Sequence, residues 1–118
     1  MALKKGIKQL IAEAEAKTKG ISADEAVARL DDANTVFVDL RDVRELERDG
    51  MIPGAFHAPR GMLEFWVDPD SPYYKPVFAE GRQFVLYCAA DWRAVLAAAT
   101  LEEMGVKNVY HLTGGFSE

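Results

Sequence analysis

An α/β fold, with a central, mainly parallel sheet flanked by helices on both faces, is what these 118 residues predict. Apolar runs bounded by turn residues alternate along the chain with helix-forming runs. Two of the apolar runs, Val36-Phe37-Val38 and Phe84-Val85-Leu86, are continuous rather than alternating, as strands buried on both faces are. The length suits one domain, and neither an internal repeat nor a long linker divides it.

Each element follows in chain order. Between residues 2 and 17, Leu3, Ile7, Leu10, Ile11 and Ala14 fall on one stripe of a helix. Residues 1–19 are therefore expected to be an amphipathic helix packed on the domain formed by 20–118, the alternative being a helix offered to a partner. Ser22 and Glu25 have capping-box spacing, opening a short helix with Ala26, Val27 and Leu30 facing inward. Residues 35–40, TVFVDL, read as a strand, and the charged run 43–50 as a helical turn. Ile52-Pro53-Gly54 is a turn, and residues 55–57 are a candidate short strand. Pro59, Pro69, Pro72 and Pro76 punctuate the irregular region 59–82, where Met62, Leu63, Phe65 and Trp66 fit one helical turn. Residues 83–87 form the next strand and the alanine-rich run 93–104 a helix, with Gly105 at its C-terminal cap. Residues 108–112 are the last strand, closed by Gly114 and Gly115.

The formal net charge is −5 and no Lys/Arg block stands out, so no nucleic-acid partner is expected. No apolar run approaches the ~20 residues that span a bilayer, so no membrane partner is expected either. The N-terminus has basic residues but not the apolar core of a secretory signal. A single cysteine excludes an internal disulfide and fits a reducing compartment, so the expected location is cytoplasmic. Glu64, Asp68 and Asp70 read as solvated surface, and with no metal-ligand spacing elsewhere neither a metal nor a cofactor is expected.

That cysteine lies in YCAADWRA, residues 87–94, between a strand and a helix. Ligands in open α/β sheets bind beyond the carboxyl ends of the strands. Unpaired N–H groups at a helix start and the Arg93 cation both favour a thiolate, which predicts a Cys88 pKa below the free value of ~8.5. A nucleophile followed by a short curled loop is a cradle for an anionic group bound to sulfur. A small buried core cysteine is the bland alternative.

Three segments, VFVDLRDVRELERDGMIPGAFHAPR, FVLYCAADWRA and MGVKNVYHLTGGF, together resemble the single-domain rhodaneses, a family of sulfurtransferases. The resemblance implies that Cys88 is the nucleophile that accepts sulfane sulfur as a persulfide, drawn from thiosulfate or a protein-bound persulfide and passed to a thiol or cyanide. It implies that the N–H groups of Ala89, Ala90, Asp91, Trp92 and Arg93 line the cradle, with Arg93 holding the loop or an anionic donor. It places Asp39 and Arg41 near the site as braces, and Gly114 and Gly115 in a tight turn. Asp91 stands where many members have glycine, and its charge is expected to repel an anionic donor. Ala94 stands where many have serine, so a hydroxyl that would bond the sulfur is missing.

Four residues separate Cys88 from Arg93. The related cysteine phosphatases have one more, giving a wider ring for a phosphoryl group, so the resemblance favours sulfur transfer. A weakly active binding module and a phosphatase or arsenate reductase are the rival readings. His57 and His111 read as partly buried histidines with backbone partners rather than as bases for Cys88. Trp92 is expected either to shape the pocket mouth or to cover the core.

Overall fold

The computed structural model describes residues 2–116. Five strands, β1 (Lys19–Ile21), β2 (Thr35–Asp39), β3 (Phe56–His57), β4 (Gln83–Tyr87) and β5 (Val109–Leu112), form one sheet in the order β1-β5-β4-β2-β3. Every pairing is parallel. Helices α1 (Ile7–Lys17), α2 (Ala23–Val27), α3 (Val43–Asp49), α4 (Leu63–Val67) and α5 (Trp92–Glu103) occupy the connections, as parallel strands require.

Alternation along the strands divides the core into two layers. Val36, Val38, Phe84, Leu86, Cys88 and Val109 meet Leu63, Ala94, Ala97, Ala98 and Leu101 on one face of the sheet. Phe37, Val85, Tyr87 and Leu112 meet Ile21 and Ala26 on the other. Continuous apolar runs were therefore a faithful sign of burial on both faces. β4 holds the centre of the sheet, and its last four residues are fully buried.

The N-terminal region departs from its periodicity. The helix begins at Ile7, not residue 2, and only Ala14 of the expected stripe is buried, where α1 packs against α5. Leu3, Ile7 and Leu10 are exposed. On α2 only Ala26 is buried; Val27 and, beyond the helix, Leu30 are exposed, because five residues make little more than one turn and present a single position inward. Lys19, expected to close the helix, instead opens the edge strand β1 against β5. That pairing joins residues far apart in sequence, so local pattern does not reveal it. The Ser22–Glu25 capping box, the short strand at Phe56–His57 and the helical turn at 63–67 all form as expected.

Candidate active site

Cys88 directly follows β4, and its neighbour β2 ends alongside at Asp39, opposite Tyr87. Cys88 is 1% exposed and its side chain belongs to the core layer under α5. The thiol is thus held by packing, while the chain beyond it leaves the sheet. Ala89 is half-buried and Ala90 exposed before α5 begins at Trp92. Among the described residues, the N–H groups of Ala89, Ala90 and Asp91 find no acceptor. The first-turn N–H groups of Trp92 and Arg93 have no intrahelical acceptor, as in any α-helix. Five successive donors therefore follow the only thiol of the chain.

The carbonyl side of the same loop is closed from behind. The N–H of Phe116 donates to the Cys88 carbonyl at 2.7 Å. Gly114 and Gly115 both take positive φ, +85° and +71°. A Cβ on Gly115 would stand 2.5 Å from the Cys88 carbonyl oxygen and 2.6 Å from that of Ala89. The expected turn after β5 therefore has a second purpose, a backbone-to-backbone approach that only glycine permits.

Asp39 and Arg41 are buried beside the loop, at 0% and 1% exposure. Arg41 donates to Asp39 from Nε at 3.0 Å and from Nη2 at 2.8 Å, and also to the Gly50 carbonyl at 2.6 Å. Its guanidinium lies 4.1 Å from the centre of the Phe116 ring. Its pKa is raised, first by the Asp39 carboxylate. Next to Cys88, Tyr87 accepts the Ile52 N–H at 3.1 Å, and burial pushes its phenol pKa well up. These groups brace the ends of β2 and β4.

Arg93 spans outward to α3. Its Nη1 and Nη2 donate to the two oxygens of Glu45 at 2.8 and 3.0 Å. Arg93 has its pKa raised chiefly by Glu45, with the Cys88 sulfur contributing less. Glu45 is held at a pKa of about 2, first by Arg93 and further by the Asp42 N–H it caps. Sequence reasoning missed Glu45, although its capping-box spacing from Asp42 was available as a signal.

Asp91 adopts a left-handed conformation with φ +76°, the shape glycine would take. Both oxygens of its carboxylate lie 3.0 Å from Nδ1 of His111, and the side chain is 13% exposed. His111 accordingly has a carboxylate partner, not a backbone one. His57 does have one, the Arg41 carbonyl at 2.7 Å. Trp92 is 67% exposed at the start of α5, so it does not cover the core. Ala94 is buried beneath the loop.

The chain is a parallel α/β domain whose single cysteine directly follows the central strand and precedes a loop of open backbone donors. Residues 22–118 match the rhodanese-like domain family, and the chain belongs to it. A solved Rhodopseudomonas palustris protein, named as of unknown function and a possible tyrosine phosphatase, is 47% identical, with a TM-score of 0.95 over 98% of this chain and 89% of its own. A rhodanese-related protein from Thermoplasma volcanium shares the fold at 20% identity and TM-score 0.63, over 82% of this chain and 85% of that one. A tRNA uridine(34) hydroxylase from Pectobacterium carotovorum is 34% identical over 83% of this chain. The chain spans only 27% of the length of the curated relatives it matches. Their name carries a tRNA uridine, so the exclusion of nucleic acid drawn from charge is left without support. Among the described residues no helix is long and apolar enough to cross a membrane.

Proposed function

We propose that the protein is a sulfurtransferase that carries sulfane sulfur on Cys88. The run of unengaged N–H groups from Ala89 to Arg93, directly following the thiol in the chain, is the observation that supports it. The Cys88 thiolate attacks the outer sulfur of thiosulfate; the S–S bond to the sulfonate breaks and sulfite leaves with the electron pair. The new Cys88 persulfide carries one negative charge, which the loop donors and Arg93 stabilise. Cyanide or an acceptor thiolate then attacks the terminal sulfur, and Cys88 leaves as thiolate, ready for another cycle. Charge and atoms balance in both halves without a redox partner. Asp39 and Arg41 keep the strand ends in place and touch no reacting atom.

Intact-protein mass after thiosulfate, then after cyanide, tests this. A gain of about 32 Da that cyanide removes establishes persulfide transfer at the single thiol. No gain, with Cys88 still open to alkylation, overturns it.

The 34% identity to tRNA uridine(34) hydroxylases favours a second reading, in which this thiol loop works on a tRNA uridine. Salt-sensitive binding of unfractionated tRNA, lost on substitutions around the loop, would support it. Phosphatase chemistry is the poorer fit, because the four residues between Cys88 and Arg93 leave a narrow ring; an aryl phosphate hydrolysed by wild type and not by Cys88→Ser would reverse that judgement.

A further inference from the structure

Asp91 does something unusual for its position. Aspartate at the N-cap of a helix ordinarily turns its carboxylate onto the N–H groups of the first turn, from extended backbone. Here the residue is left-handed and makes no such cap to α5. Its carboxylate is instead bound by His111 on β5. His111 is 7% exposed and shares the sheet face of Val109. Its strand neighbours are Leu86 of β4 and Gly20 of β1. A Cβ on Gly20 would stand 3.0 Å from Cε1 of the ring and 2.8 Å from Oγ1 of Thr113, so the glycine supplies the room in which the ring lies.

The geometry points to His111 as a positioning and selectivity residue that acts through Asp91. By holding the carboxylate against β5, it keeps negative charge off the approach to Cys88 and leaves the α5 N–H groups open, so that the site accepts anionic donors. This deepens the sulfur-transfer reading and rests on it for the identity of the donor. Whether the imidazole is neutral, donating Nδ1–H, or protonated, the carboxylate is directed to the same place. Without the ring, a carboxylate three residues from the thiol would compete with any incoming anion, by charge and by falling back onto the helix start.

Two alkylating agents that differ in charge read this without sulfur chemistry. The rates at which iodoacetate and iodoacetamide modify Cys88 are measured at low salt, and their ratio is compared among variants. His111→Phe should lower the iodoacetate-to-iodoacetamide ratio about three-fold, and should lower sulfur loading from dianionic thiosulfate about ten-fold. Added salt should shrink both effects. Asp91→Asn alone should leave the ratio within a factor of about 1.5, since the charge is already turned away. The double variant should recover the wild-type ratio. Should His111→Phe not fold, His111→Asn, too short to reach Asp91, is read in the same way.

An unchanged ratio in the His111 variant overturns the inference. So does a fall that Asp91→Asn does not rescue, which would make the ring a packing element only. A thiol closed to both reagents overturns it as well. If the ratios behave as described while wild type gains no sulfur from thiosulfate, the donor chemistry falls and the positioning role of His111 stands.

Discussion

β2 and β4 lie side by side, yet their ends are held in opposite ways. β2 ends in Asp39-Leu40-Arg41, where the ion pair joins residues two apart and is sealed from water. β4 ends in a loop whose contacts all come from a distance: Glu45 on α3, His111 on β5, and Gly115 and Phe116 beyond it. The first is a local lock between two buried charges. The second fixes the carbonyl side and the side chains of the loop but leaves its N–H groups free. Rigidity at the thiol is thus imported, while the N–H side of the loop is left unengaged among the described residues.

The largest expected effect is on chemistry at the second end. Cys88→Ser should abolish sulfur loading by intact mass, with a thermal midpoint within about 5 °C of wild type. A much larger loss of stability would make Cys88 a packing residue and erase the contrast. Next comes the local lock. Arg41→Met leaves the Asp39 carboxylate buried and unpaired, and should cost about 3–5 kcal/mol in denaturant unfolding. A near-neutral result would show that the β2 end is less sealed than the β4 end.

Gly115→Ala puts a Cβ against two carbonyls in a left-handed backbone, and should cost about 2–3 kcal/mol. It should also slow sulfur loading, whereas Arg41→Met acts mainly on stability. The smallest effect is at Glu45. Its folded pKa, about 2, lies below its ordinary 4.5, so the pair with Arg93 stabilises fully above the ordinary value and is lost as pH falls through about 2. Glu45→Gln should flatten the pH dependence of stability in that window. The change should be on the order of 1 kcal/mol, because 40% of the Arg93 side chain faces water and screening discounts the pair.

What was legible in the sequence divides along the same line. Cys88, Arg93, Asp39 and Arg41 stand close to strand ends within single segments, and both their positions and the α/β order of elements could be read. Continuous apolar runs identified β2 and β4 because burial on two faces leaves no polar alternation. β1 was hidden, since three residues of edge strand carry no period and owe their structure to β5. The Asp91–His111 bond was hidden for the same reason. It depends on β5 lying beside β4, a register that appears only when the sheet is assembled. Asp91 was rightly read as compatible with left-handed backbone, but the direction of its carboxylate was not.

The position of β5 between β1 and β4 also makes the sheet depend on a strand that comes late in the chain. β1, β2 and β4 all leave the ribosome earlier, but β1 has no strand to join until β5 slides in beside it. His111 and the glycine turn arrive with that strand. A nascent chain would therefore carry its cysteine, arginine and loop complete in sequence while Asp91 is still unanchored and the Cys88 carbonyl uncovered. Of the five strands, the one latest in sequence is therefore the one that brings both the partner of Asp91 and the turn behind Cys88.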